Sequence, residues 1–292
     1  MNINQLKQKL TLGTVQLGLQ YGINNQIGKP DKVEAFNILS KAASEHIYLL
    51  DSAEAYGDSL AVIGNYQQDQ KNSSFRIISK FIGDDEPLNK KVSRTLAQLN
   101  QPNLYAYLYH RFSDYKSGKY KDELLSLKNE NKIDKLGVSI YSDEEFEAVL
   151  NDPDITIIQL PLNPLDSSTK KKDLMKEARS QAKEIHVRSI FLQGLFFKQA
   201  RELTGNLVAL SPTLTAFHNV LNDYKINVRQ ACLNYALHQP YTNHVIIGVE
   251  TKKQLEENIE SILTEIPSGL FDALEALPLV DTLFLNPSHW KP

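Results

Sequence analysis

The 292-residue chain carries 32 basic and 35 acidic residues, a formal net charge of −3, and 41% hydrophobic residues. So even a balance gives no electrostatic case for binding nucleic acid or an anionic membrane surface, and no apolar run reaches the roughly 18 residues needed to cross a bilayer. The first ten residues, MNINQLKQKL, lack the apolar stretch of a signal peptide, and the single cysteine, Cys232, permits no internal disulfide, so a reducing, cytoplasmic setting is expected.

Short β-prone runs alternate with amphipathic segments along the chain. A strand is expected over 10–15 (LTLGTV), then a helix over 32–46 and a strand over 47–52 (IYLLDS). Strands follow over 75–81 and 104–110, a helix over 120–132, and a strand over 135–141. Ser142 with Glu145 three residues on reads as a capping box opening a helix over 142–152. Beyond it come a strand over 155–161, a helix over 169–183 and a strand over 184–190. Residues 191–225 form a longer connection, a candidate lid with some helix of its own. A helix over 226–239, in which Cys232 reads as a packed core thiol, precedes the last strand, 244–249. Residues 266–292 are expected to give a short helix and a tail packed on the barrel exterior or rim.

Strand followed by helix, eight times over and without a Pro/Gly/Ser-rich linker, predicts an α/β fold: a single-domain (β/α)8 TIM barrel over 1–292, its core at about 10–262. An open doubly wound sheet is disfavoured, because the glycines of LGTVQLGLQYG, at 13, 18 and 22, do not fit the G-x-G-x-x-G turn.

In such a barrel the active site lies at the C-terminal ends of the strands. Those ends carry Asp51 after the second strand, Tyr56 in the loop behind it, Lys80 on the third strand and His110 closing the fourth. A phenol titrates near pH 10, too weak an acid for easy proton transfer at neutral pH. An adjacent ammonium would lower that value, and a carboxylate behind it would keep the ammonium charged. Lys80 would therefore tune Tyr56, Asp51 would hold Lys80, and His110 would orient a carbonyl oxygen. None of the four supplies a hydride, so a nicotinamide cofactor would have to.

The segments LGTVQLGLQYG, DSAEAYGDS, IISKF, YLYHRFSD, LGVSIYS, IIQLPLN, RSIFLQGLF and VIIGVETKKQLEENI resemble, in order, those of the aldo-keto reductase superfamily. The resemblance implies NAD(P)H-dependent reduction of an aldehyde or ketone, with a catalytic tetrad of Asp51, Tyr56, Lys80 and His110. It also implies cofactor contacts. Thr14 falls beside the nicotinamide half, and Ser139 and Gln159 at its carboxamide. Ser189, Leu192, Gln193 and Gly194 fall in the loop around the pyrophosphate, and Glu257 and Asn258 at the adenine. Departures from the family pattern are visible. Ile140 replaces a common Asn, and Arg188 stands where many members stack a Tyr on the nicotinamide. After Gly248, Glu250 and Gln254 replace the usual 2′-phosphate readers, while Lys252 and Lys253 pull the other way. NADPH is expected on family habit, with NADH the alternative.

Tyr21, Ile23, Tyr56, His110, Arg111 and Phe112 are the expected substrate-pocket residues. LQYGINNQIGKP and HRF resemble aldo-keto reductase-like proteins of bacterial surface-polysaccharide and nucleotide-sugar pathways, which implies a small, polar carbonyl substrate, a sugar-derived one among the options. Two rival readings stay open: an NADP(H)-binding regulatory or redox-sensing subunit without significant turnover, and a non-redox barrel using Lys80 as a Schiff-base amine. No metal site is expected, because the seven histidines show no H-x-x-x-H pair and no carboxylate–histidine motif at ligand spacing.

Overall fold

The computed structural model describes residues 1–70, 75–166, 168–278 and 280–291. Eight parallel strands close into a (β/α)8 barrel in sequence order. They are β1 (Leu10–Gly13), β2 (Leu49–Asp51), β3 (Arg76–Phe81), β4 (Leu104–Tyr109), β5 (Ile133–Ser139), β6 (Ile157–Pro161), β7 (Glu184–Arg188) and β8 (His244–Gly248). All eight expected strands form, each one to three residues shorter than its apolar run at one end or both, except β5, which starts two residues earlier and ends two residues sooner.

Side chains on a strand alternate between two faces, so the interstrand register decides which of them share the barrel interior. Gly13 is opposite Asp51 and Gly248, Asp51 is opposite Ile78, and Lys80 is opposite Leu108. Leu108 is opposite Gly137, Ser139 opposite Gln159, Gln159 opposite His186, and His186 opposite His244. These residues and those two steps away along each strand therefore point inward. The middle of the interior is apolar, a separate cluster of Leu49, Ile78, Ala106, Leu108 and Ile157. The alternate residues, such as Leu12, Leu50, Ile77, Tyr107, Val138, Ile158, Val187 and Ile247, face outward and pack under the helices in the main core.

The expected helices form as Lys32–Ser44, Lys121–Asn129, Asp143–Leu150, Thr169–Ser180 and Val228–Leu237. The capping box is present: the Glu145 amide donates to Ser142 Oγ at 3.2 Å and the Ser142 amide to Glu145 Oε2 at 3.4 Å. Cys232 is fully buried, and burial pushes its thiol well up. Helices Ser59–Asp69, Leu88–Leu99 and Lys252–Glu260 were not among the expected ones. The first of these carries Gly64 in its middle, which weakens its helical signature. The reason for the glycine is tertiary: a Cβ there would lie 1.8 Å from the carbonyl oxygen of Gln98, where the next helix ends against it.

Residues 191–225 hold more regular structure than a loop. Three 3-10 segments, Leu192–Phe197, Ala200–Glu202 and Gly205–Leu210, lead into the helix Ser211–Asp223. The tail gives the expected short helix, Leu270–Glu275. Further on, the indole of Trp290 donates to the Phe284 carbonyl at 2.9 Å, and the Lys291 amide to Asn206 Oδ1 at 2.9 Å, which ties the tail to the 205–210 turn. Residues 279 and 292 of that tail lie outside the described residues. Among the described residues no helix is long and apolar enough to cross a membrane.

Candidate active site

The four residues singled out at the strand ends meet at one place. Asp51 ends β2, and Lys80 is the penultimate residue of β3, on the same inward face. Lys80 Nζ donates to Asp51 Oδ1 at 2.6 Å, to the Ser52 carbonyl at 2.9 Å and to Tyr56 Oη at 3.4 Å. Gln159, from β6, donates its Nε2 to the other Asp51 oxygen at 2.7 Å. The His110 ring stands edge-on to that of Tyr56, with centroids 5.8 Å apart and planes at 83°.

Tyr56 owes its position to two glycines. The turn that carries it lies directly on the Val15–Gly18 helical turn after β1, so closely that a Cβ on Gly18 would sit 1.7 Å from the Tyr56 carbonyl oxygen. Gly57 then takes φ +56°, a left-handed conformation that an L side chain rarely adopts. Beneath the turn, Ser59 Oγ lies 2.9 Å from Thr14 Oγ1 and 2.8 Å from Ser52 Oγ, and Thr14 Oγ1 donates to the Asp51 carbonyl at 3.1 Å.

Electrostatics here departs from the expected lowering of the Tyr56 pKa. Burial, which disfavours a phenolate, is the largest influence on Tyr56 and raises its pKa. Lys80 pulls the value down, Asp51 pushes it up, and the net shift is upward. Burial alone would lower Lys80, but the Asp51 carboxylate first, then Tyr56, and the hydrogen bonds to both outweigh it, so its pKa ends raised and the ammonium persists. His110 is driven down to about 3, by burial first and Lys80 second, and stands neutral at neutral pH. The site therefore holds a protonated phenol against a permanent cation, beside a neutral imidazole.

Above this group opens a cavity of about 460 Å3, lined by Asp51, Tyr56 and His110 together with residues from the loops after β1, β5, β7 and β8. Lys80, only 1% exposed, does not line it and reaches it through Tyr56. The model of the aldo/keto reductase family matches residues 9–278. The chain belongs to the aldo/keto reductase family. It is an NAD(P)H-dependent oxidoreductase of that class. Among solved structures it is similar to the glycerol dehydrogenase AKR11B4 from Gluconobacter oxydans, at TM-score 0.72 and 20% identity over 91% of this chain and 90% of that one. It is likewise similar to the aldo-keto reductase AKR11C1 from Bacillus halodurans in its holo form, at TM-score 0.71 and 17% identity over 91% of both chains. At these identities the likeness is one of fold. No curated protein matches the chain.

Of the positions that the family pattern marks for cofactor, Thr14, Ser139, Gln159, Arg188, Ser189, Gln193, Gly194, Gly248, Glu250, Gln254 and Asn258 all line the cavity. Leu192, Lys253 and Glu257 do not. Leu192 is fully buried in the core, and the Lys253 side chain is 83% exposed. Glu257 is ion-paired to Arg229 at 2.7 Å. The loop after β7 is bent hard: Ser189, Leu192 and Gln193 take positive φ of 58°, 45° and 52°, and Gly194 takes 90°. Of the expected substrate residues, Tyr21, Tyr56 and His110 line the cavity, whereas Ile23, Arg111 and Phe112 do not. Only Phe191, Gln193, Gly194 and Phe197 of the 191–225 segment reach it.

Tyr141, Gln16 and Arg229 are among the lining residues not expected from the sequence. Tyr141, two residues past the end of β5, lies under the Arg188 guanidinium at 4.1 Å, and Arg188 also donates to the Ile140 carbonyl at 3.0 Å. Its position beyond a strand end was a readable signal. Gln16 packs against Gly248, where a Cβ would meet its side-chain amide at 2.5 Å. Arg229 enters from the helix Val228–Leu237, and its place on a helix gave no signal.

Proposed function

We propose that the cavity binds a nicotinamide dinucleotide and that the chain reduces a small polar carbonyl compound, with Tyr56 as the proton donor. The observation that carries this reading is the Lys80 ammonium, held 2.6 Å from Asp51 and 3.4 Å from the Tyr56 hydroxyl at the cavity wall. When bound, the nicotinamide supplies the hydride to the carbonyl carbon. Tyr56 gives its proton to the carbonyl oxygen, Lys80 stabilises the phenolate left behind, and Asp51 with Gln159 keeps Lys80 in place. Neutral His110 orients the oxygen by a hydrogen bond. The unpaired acceptors here fit the N–H of a carboxamide. Gln159 Oε1 and Gln16 Oε1 are buried without a partner on lining residues, as is His110 Nδ1, and unpaired buried acceptors favour an incoming N–H.

NADPH is the cofactor we expect, on family habit. One observation favours NADH: Glu250 lines the cavity while Lys253 lies outside it, and a carboxylate repels a 2′-phosphate. A sugar-derived substrate is consistent with a wall that mixes Tyr21, Asn24, Asn25 and Arg188. The deciding experiment is a Tyr56→Phe variant. It should quench with NADPH or NADH as the native protein does and lose turnover of a carbonyl panel by at least about 100-fold. Turnover retained within a few-fold would remove Tyr56 from the chemistry.

A further inference from the structure

The opposite, N-terminal end of the barrel carries a second polar cluster. β7 opens Glu184-Ile185-His186, and residues two apart on a strand share a face, so both polar side chains turn inward. Register sets His186 directly across from His244, the first residue of β8. One potential ligand atom from each of Glu184, His186 and His244 lies within 4.8 Å of the others. The sequence shows no H-x-x-x-H pair, and this group is built instead from an i,i+2 strand pair and its registered neighbour.

We propose that Glu184, His186 and His244 form a binding site for a zinc-class divalent cation. His186 is fully buried, and its Nδ1 has no hydrogen-bond partner. Its Nε2 is 3.0 Å from Glu184 Oε2, and its ring is centred 4.6 Å from that of His244. Bonds of about 2.0–2.1 Å in a tetrahedral site place neighbouring ligand atoms roughly 3.3 Å apart, so seating an ion opens the Glu184–His186 pair slightly from 3.0 Å and brings the other pairs, within 4.8 Å, to that spacing. His244 Nδ1 lies 3.3 Å from Thr11 Oγ1, an outer partner that orients the ring and leaves Nε2 for the metal. Two imidazoles and one carboxylate suit Zn2+ or Co2+ rather than Mg2+ or Ca2+, and leave a fourth position for water.

Lys135 is the competitor. Its ammonium bonds Glu184 Oε1, and Tyr105 Oη donates to both Glu184 oxygens at 3.0 and 2.8 Å. The Arg76 guanidinium, 4.7 Å from the Tyr105 ring centre, adds positive charge. The Lys135 side chain is 33% exposed on a flexible stem, so it can swing into solvent and release Glu184 to the ion. The ion would then clamp β7 to β8 at the closed end. The apolar cluster of Leu49, Ile78, Ala106, Leu108 and Ile157 separates this end from the cavity, so the site does not depend on the reductase reading.

The test is titration of the full chain, without dinucleotide, with Co2+ and then Zn2+. One Co2+ per chain with the intense visible absorption of a four-coordinate site, displaced by Zn2+ and lost in His244→Ala, is the expected result. Lys135→Met removes the competitor and should tighten binding about tenfold. Absence of saturable binding in both the native chain and Lys135→Met overturns the proposal. So does a Co2+ spectrum that survives His244→Ala, or an affinity that Lys135→Met leaves unchanged.

Discussion

The Asp51–Lys80 pair is the most exposed point of the reductase reading, and its energetics follow from its burial. The two side chains are 5% and 1% exposed, with 2.6 Å between oxygen and nitrogen. Lys80→Met fills most of the same volume but leaves a buried carboxylate whose remaining side-chain partner is Gln159 at 2.7 Å. Stranding one member of a buried ion pair costs about 3–5 kcal/mol. At roughly 2–4 °C per kcal/mol for a chain of this size class, the thermal midpoint should fall by about 6–20 °C. Removing both charges in Asp51→Leu with Lys80→Met leaves no unpaired charge, only the Gln159 amide without its acceptor, so the double variant should recover at least about 2 kcal/mol relative to the sum of the singles. Calorimetry or urea unfolding of the four proteins reads this cycle directly. Lys80→Met melting within about 2 °C of the native chain would mean that the carboxylate is not held by the ammonium, and the argument for a charged lysine at Tyr56 would go with it.

Gly18→Ala and Gly64→Ala both force a Cβ into a backbone oxygen, at 1.7 and 1.8 Å. Both should lower stability, but only Gly18→Ala displaces Tyr56, so a thermal melt paired with a carbonyl-turnover assay should show kcat lost beyond the stability effect in that variant alone. Glu250→Lys should shift the ratio of dissociation constants toward NADPH by at least about tenfold, about 1.4 kcal/mol, in a fluorescence titration with both dinucleotides; an unchanged ratio removes Glu250 from cofactor choice. His110 and His244 titrate at about 3 in the folded state against an ordinary 6.5. Below pH 6.5 the unfolded chain takes up protons that the folded one refuses, so stability should fall from pH 6.5 toward 3, by at most about 1.4 kcal/mol per pH unit for each histidine. Urea unfolding across that range should show a shallower decline in His244→Gln.

The fold was legible because parallel strands buried on both faces read as unbroken apolar runs, and IIQLP or HVIIG can be little else. The tetrad was legible for a related reason: Asp51, Lys80 and His110 each end or nearly end such a run, and the barrel brings strand ends together. What failed depended on distances that no single segment encodes. Gly64 looks like a helix breaker until the neighbouring helix is seen to end against it. The Tyr56 phenol was expected to be acidified because its cation was foreseen and its burial was not, and burial is the larger influence. Arg111 and Phe112 follow His110 in sequence, yet the chain turns at once into the helix Phe112–Lys116 and carries both away from the cavity.

The register of one strand links the two ends of the barrel. Glu184, His186 and Arg188 alternate along β7 and share the inward face, so a single five-residue segment serves both the closed end and the cavity. A one-residue slip of β7 would turn Ile185 and Val187 inward and remove all three polar groups from the interior together. That slip is opposed from both sides, because Gln159 is opposite His186 on β6 and His244 is opposite it on β8. The inward-facing polar residues thus report on register as well as on chemistry. His186→Leu, which keeps the inward face but deletes the polar group, should leave the strand pairing and dinucleotide binding intact while it abolishes the proposed cation site. Loss of dinucleotide binding in a folded His186→Leu chain would show instead that the two ends are coupled through β7.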